Sequence, residues 1–270
     1  MKSNTIKRAT NKSACALVCA GSILASAAYA QVDLNTRIDF NAGTGIYSYS
    51  HGVLNQGPTF DLAIVNLNVA TNSNLMNLSA PTGFNINFDP GVGIVSFFED
   101  ANPATPQTFA PNSTTTPFAY TSTFAPVPIA FDALDAGGNM FTGFTLSAAP
   151  AGSAVNNAVV TGIISGNFTL TKTTPGMLTL TNVNTYTGGT TLNAGTLSFA
   201  NGSLGSIGTV DFAGNATLQY FGNNTQDISS RVKIEDGVTA TFDTNTIYTF
   251  TLPERSDTKR LQYPAASRGR

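Results

Sequence analysis

The chain has one histidine, His51, in the stretch YSYSHGVL, with Ser48, Ser50 and Asp61 close to it in sequence. Serine, histidine and aspartate are the parts of a hydrolytic triad, in which the imidazole takes the hydroxyl proton and the carboxylate orients the imidazole. No nucleophile elbow surrounds either serine, so a turn or surface histidine is the expectation. The common zinc sets draw on several histidines or cysteines, and this chain does not supply them. The acids Asp211, Asp227, Glu235, Asp236 and Asp243, with Arg231 among them, are the types a polysaccharide-cleaving site pairs as acid and base. They fall on turns and strands without a common spacing. FDALDAGGNMFTG (131–143) sets Asp132, Asp135 and Asn139 around two glycines, and FFEDAN (97–102) is similar. Both could offer oxygens to calcium, but neither has EF-hand spacing. No catalytic, cofactor-binding or metal-binding residue is therefore assigned, and no cofactor is implied. Tyr47, Tyr49 and Tyr120 could stack on sugar rings. A chain with 18 Phe and no Trp, however, spends most of its aromatics on its core.

The elements that must position these residues begin after a leader. Lys2, Lys7, Arg8 and Lys12 precede an apolar, small-residue run from Ala14 to Ala28, closed by Ala28-Tyr29-Ala30. That order describes a secretory signal peptide cut between Ala30 and Gln31. Both cysteines, Cys15 and Cys19, lie inside it, so the mature chain has no disulfide. Its stability must come from burial and backbone pairing. From Gln31 to Glu254 there are four bases against fourteen acids, and no lysine or arginine from Ile38 to Thr171. Nucleic acid is excluded as a partner by that balance, because phosphates are neutralised by clustered bases. No membrane span is expected in the mature chain.

Helix periodicity is absent. Apolar and polar residues alternate over short runs, the signal of half-buried strands. The runs fall at 59–69, 83–89, 93–100, 127–133 and 140–148, with shorter ones at 37–40 and 45–50. Gly, Pro, Asn and Asp clusters between them supply turns. Residues 31–147 therefore read as a β-sandwich-like or irregular β-domain. AAPAGSAVNN then marks a linker at 148–157.

Beyond it the spacing becomes regular. Leu178, Leu197, Leu218 and Val238 lie 19, 21 and 20 residues apart, and Val210 and Val232 lie 22 apart. A recurrence near twenty residues with several strands per period marks a solenoid. Residues 158–252 are expected to form a short right-handed parallel β-helix, with Leu180, Phe199, Tyr220 and Phe242 as one inward ladder. Thr and Asn between them would face solvent or turn the chain. In this reading Leu178 and Leu180 point in, Thr179 and Thr181 point out, Asn182 and Asn184 satisfy corner groups, and Gly188-Gly189 bends the chain. Residues 253–270, with five bases and no alternation, read as an irregular basic tail outside the pattern and possible wrong-frame coding sequence.

LTKTTPGMLTLTNVNTYTGGTTLNAGTLSF (170–199) resembles the autotransporter-associated β-strand repeat of bacterial passenger regions. The positions that carry the resemblance are Leu170, Lys172, Asn184, Thr185, Tyr186, Thr187, Gly188, Gly189, Thr190, Thr191, Gly195, Thr196 and Leu197. Thr174-Pro175 departs from it, standing where that family has glycine. The resemblance implies a β-helical stalk displayed on, or released from, a Gram-negative-type cell surface, and it implies no catalytic residue. The expected function is that of a non-enzymatic, exported, adhesin-like passenger segment, a truncated piece of a longer autotransporter. The expected partner is an extracellular glycan or a host or cell-surface ligand, with edge-to-edge self-association at an uncapped last coil. The alternatives are a secreted polysaccharide-acting β-helix enzyme, using Asp236 and Arg231, and a small secreted carbohydrate-binding protein.

Overall fold

A computed structural model describes residues 32–57, 61–100, 108–150, 152, 154–244 and 249–252. The expected leader with Ala28, Ala30 and Gln31, and the tail 253–270, lie outside the described residues. The fold is all-β. In chain order the first ten strands are β1 (Val32–Asn41), β2 (Ile46–Asn55), β3 (Leu62–Asn68), β4 (Met76–Ser79), β5 (Phe84–Asp89), β6 (Ile94–Glu99), β7 (Ser113–Thr114), β8 (Phe118–Ser122), β9 (Pro126–Asp135) and β10 (Met140–Ala148). Every pairing among them is antiparallel. One sheet runs β1-β2-β8-β4, with β7 also on β2. The other runs β10-β9-β3-β6-β5.

The two sheets pack as a sandwich because each strand alternates. Leu34, Ile38, Tyr49 and Val53 are buried on one sheet, and Val65, Leu67, Val95, Phe97 and Phe131 on the other. Phe97 of β6 stacks on Phe118 of β8 with ring centroids 4.4 Å apart, which holds the sheets together at the centre. The strand runs read from the sequence are present within a few residues of their ends. β1 and β2 are longer than read, and β4, β7 and β8 were not legible. β8, FAYTS, is short and follows a Thr- and Pro-rich stretch that reads as loop.

From residue 158 the chain winds into a β-solenoid of about four turns, ending at 243. Its strands are β11 (Ala158–Val160), β12 (Ile164–Gly166), β13 (Leu170–Lys172), β14 (Met177–Leu180), β15 (Thr190–Leu192), β16 (Gly195–Phe199), β17 (Val210–Phe212), β18 (Ala216–Tyr220), β19 (Val232–Ile234) and β20 (Ala240–Asp243), with β21 (Thr249–Leu252) after them. One face stacks β11-β14-β16-β18-β20 in parallel, and a second stacks β13-β15-β17-β19. A third, less regular face follows β12, where Thr185 N and Thr187 N donate to Ile164 O and Gly166 O, both at 2.9 Å.

The register corrects one expected ladder. Leu180, Phe199 and Tyr220 align as read, but Phe242 aligns with Leu218 and so extends the Leu178–Leu197–Leu218 series in place of Val238. The corners absorb changes of length, so a fixed spacing near twenty falls short in the last coil, where Leu218 and Phe242 are 24 residues apart. Thr179 and Ser198 lie on the face opposite the leucines, as the alternation requires, yet both are buried. In register they stand between longer side chains, Val159 on one side and Gln219 on the other.

Sandwich and solenoid share their sheets. β11 pairs in parallel with β10, and β12 in parallel with β1. Residues 148–157 thus connect neighbouring strands of one eleven-stranded sheet. Side chains tie the seam. Asn35 Oδ1 accepts from Ile163 N at 3.0 Å, Asn167 Oδ1 accepts from Phe40 N at 2.6 Å, and the buried Asp33 accepts from Gln56 and Thr161. One apolar core runs from Val32 to Phe242. At the far end β21 pairs with β20 in antiparallel fashion, whereas β19 is the edge strand of its sheet among the described residues.

Candidate functional site

The residues singled out in 170–199 lie at the contacts between successive coils. Asn184 is 2% exposed. Its Oδ1 accepts from Ile164 N at 2.8 Å, and its Nδ2 donates to Ser203 O at 2.8 Å. Those partners lie one coil before and one coil after. The amide therefore stitches three coils where the third face lacks a regular ladder, and it does not satisfy local groups as the sequence reading had it. Asn182 mixes both roles, donating to Thr161 O at 3.2 Å and accepting from Val183 N at 2.8 Å.

Tyr186 is buried, its ring 5.5 Å from that of Phe168. Its hydroxyl bonds to that of Thr190 at 2.7 Å, and burial pushes its pKa up. Gly189 has φ 81°, and a Cβ there would stand 2.6 Å from Thr209 O in the next coil. Gly188 N donates to Phe168 O of the previous coil at 3.1 Å. The Gly-Gly pair is therefore a place of close backbone approach as well as a bend. Leu170 and Leu197 are buried, Thr191 aligns with Thr171 and Asp211, and Thr196 N bonds to Gly176 O at 3.0 Å.

Lys172 is the unexpected member. It aligns with Leu192 and Phe212, whose side chains fill the core, and it is itself buried. Among the described residues its ammonium forms no ion pair. It bonds to Thr174 O, to Thr174 Oγ1 at 3.0 Å and to Ala194 O at 3.4 Å. Burial lowers its pKa to about 8. Gly195 completes this corner, since a Cβ there would lie 2.7 Å from Lys172 Nζ.

The residues with reactive potential do not assemble. His51 is buried, with Nδ1 2.9 Å from Thr36 Oγ1 and Nε2 2.7 Å from Tyr120 OH. Burial alone lowers its pKa to about 3. It is thus neither a surface histidine nor part of a triad. Ser50 lies beside it in the strand, where alternation turns it to the other face, and Ser48 and Asp61 do not reach the ring. Asp135 receives Asn139 N at 2.8 Å and Asn139 Nδ2 at 2.7 Å, so both its oxygens close a local turn. Asp132 accepts from Asn66 at 2.8 Å. Among the described residues no three of His, Cys, Asp and Glu cluster as a metal site.

Arg231 points its guanidinium into the 204–208 loop. Nε donates to Gly208 O at 2.7 Å, Nη2 to Leu204 O at 2.7 Å and Ile207 O at 3.0 Å, and Nη1 to Gly205 O at 3.2 Å. It braces backbone carbonyls and faces no carboxylate pair. Asp227 caps Ser229 N at 2.9 Å, Asp243 accepts from Gln219 at 2.8 Å, and Lys233 bridges Asp211 and Glu235 on an exposed face.

Such an arrangement, one motif whose asparagine and glycine positions serve the contacts between coils, is what a scaffold repeat requires. Residues 170–199 match the family model of the passenger-associated-transport-repeat. That repeat occurs in autotransporter passenger domains. No curated protein matches the chain. The match spans the passenger repeat alone, from the start of β13 to the end of β16, about one and a half coils. Passenger repeats are generally structural, and the β-solenoid around this one fits a passenger β-helix. They also point to a secreted or surface-exposed protein.

A second set of residues was not read from the sequence. On the outer face of the sandwich, Asn87, Ser96, Asn66, Asp132 and Thr142 stand in register across five strands. Ser96 Oγ donates to Asn66 Oδ1 at 2.8 Å, continuing the bond from Asn66 to Asp132. The adjacent row on the same face holds Phe98, Ile64, Leu134 and the exposed Met140. Only strand pairing brings these positions together.

Proposed function

We propose that the chain is a non-enzymatic, exported passenger segment in which the stacked coils act as a stalk holding the sandwich out as its adhesin-like head. The observation that carries this is the passenger repeat, with its polar residues used up in coil-to-coil contacts. Asn184 and Lys172 are buried and bonded to backbone, so neither is left facing solvent to do chemistry. The basic start, apolar run and Ala28-Tyr29-Ala30 of the sequence, which read as a leader, support the same reading. Expression of the full chain in a Gram-negative host, with mass spectrometry of the exported product, tests it. The expected result is a mature N-terminus at Gln31 and protein on the cell surface or in the medium. Retention in the cytoplasm with Met1 intact defeats the reading.

The paired rows on the outer face of the sandwich favour a glycan as what the head binds. A neutral sugar presents hydroxyls beside C–H faces. The Ser96–Asn66–Asp132 chain offers both donors and acceptors, and the Phe98–Ile64 row offers apolar contact. With no lysine or arginine between Ile38 and Thr171, the ligand class is neutral and not sulfated or phosphorylated. Titration of the full chain with neutral oligosaccharides, against an Asp132→Ala variant, is the check. Binding unchanged by the substitution moves the ligand elsewhere on the molecule.

A further inference from the structure

Between the two sheets lies an unbroken chain of five side chains. Thr145 Oγ1 is 2.8 Å from Thr36 Oγ1, Thr36 Oγ1 2.9 Å from His51 Nδ1, His51 Nε2 2.7 Å from Tyr120 OH, and Tyr120 OH 2.5 Å from Ser147 Oγ. Thr36, His51 and Tyr120 belong to β1, β2 and β8 of one sheet. Thr145 and Ser147 both belong to β10 of the other. Every member is buried. The chain crosses the sandwich twice, and its midpoint is the one histidine of the sequence.

We propose that His51 is an acid-sensitive latch, holding the two sheets together while neutral and releasing them when it takes up a proton. The hydrogen bonds alone would tolerate an imidazolium. Both ring nitrogens would donate, and the Thr36 and Tyr120 hydroxyls would accept and in turn donate their hydrogen bonds to Thr145 and Ser147. The charge is what the site cannot accept. Facing the ring are Thr36 from β1, Tyr120 and Phe118 from β8, Phe97 from β6, and Thr145 and Ser147 from β10, none of them ionised. Tyr49, its neighbour on β2, stays protonated because burial raises its pKa. Glu99, two residues beyond Phe97, is engaged with the backbone of Phe109 and lies near Asp61. An unpaired cation in such a core is relieved by opening to water. The release reaches the solenoid as well, because β1 also carries β12 of the first coil.

An ordinary histidine takes up its proton near 6.5, and the buried one resists to about 3. Between those limits opening is coupled to binding one proton, so the open-to-closed ratio rises about tenfold for each pH unit lost. A lone histidine gives a single imidazole resonance in the intact, untagged chain, which makes the test direct. The expected result is a neutral His51 signal held below pH 6, with native tyrosine dispersion lost cooperatively at lower pH and regained on neutralisation. In His51→Gln, whose amide can also donate and accept, the acid midpoint moves down by about one unit. A resonance that titrates near 6.5 while the native spectrum persists overturns the proposal. So does a His51→Gln midpoint equal to that of the parent chain, or a native spectrum that fails to return. If His51→Gln does not fold, the resonance of the parent chain decides alone.

Discussion

Asn184 and Lys172 each do with one polar side chain what a longer strand would do with its backbone. Replacing Asn184 by Ala leaves Ile164 N–H and Ser203 C=O buried without their partner. Each orphaned group costs about 1–3 kcal/mol, so Asn184→Ala is expected to lower stability by roughly 2–4 kcal/mol in urea titration. Asn184→Asp keeps only the acceptor and adds a buried charge, so it does no better. Lys172 gives a pH dependence of defined sign. Unfolded, it holds its proton to about 10.5, and folded only to about 8. Between these values the unfolded chain binds more protons, so stability rises with pH. The window for seeing this is from pH 8 to about 9.5. Above it, unfolded tyrosines begin to ionise at their ordinary 10.0 while buried Tyr49, Tyr120 and Tyr186 do not, and stability falls again. Lys172→Met should abolish the rise, because a thioether does not titrate, while the carbonyls of Thr174 and Ala194 lose the donor that Lys172 gives them. A parallel rise in the Met variant would place the effect elsewhere.

At the scale of elements, the coil is held by close approach at its corners, and glycine is the residue that permits it. Gly189→Ala meets both a positive φ and the Thr209 carbonyl, and should cost about 2 kcal/mol or more. Gly152→Ala, where a Cβ meets nothing within 4 Å, should stay within about 0.5 kcal/mol of the parent. Denaturant midpoints of the two variants decide whether coil contact or chain flexibility sets the effect. Much of this element level was legible. The alternation in LTL and GTLSF announces strands, and the near-twenty spacing announces their stacking. Phe242 was misplaced because 24 residues separate Ala216 from its partner Ala240, a lengthening taken up mostly in the turn between β19 and β20, where no alternation marks it. The burial of Lys172 was not legible for another reason. A lysine in an alternating strand looks like a solvent position, and only the turn at Thr174 and the Ala194 carbonyl show why it can face inward. The network around His51 gave no sign at all, since of its partners Thr36 and Thr145, which bond to each other, lie 109 residues apart in sequence.

For the whole molecule, the sandwich does to the solenoid what a capping repeat does to an array. A stack of coils exposes an unpaired sheet edge at each end, and its stability is passed from neighbour to neighbour. Here β10 and β1 pair with β11 and β12, so the first coil begins on two strands already fixed by the sandwich core. The thermodynamic boundary should then lie inside the solenoid and not at residues 148–157. Hydrogen exchange on the full chain tests this directly. Amides of β11 and β12 are expected to open with the same free energy as those of β1 and β10, whereas β18 and β20, further from the cap, open on their own. Acidification far enough to release the sandwich should therefore strip protection from Val160 and Ile164 while Leu218 keeps its own. If β11 and β12 instead exchange with β18 and independently of β1, the coils form one unit of their own, and the shared sheets are a docking contact without energetic coupling.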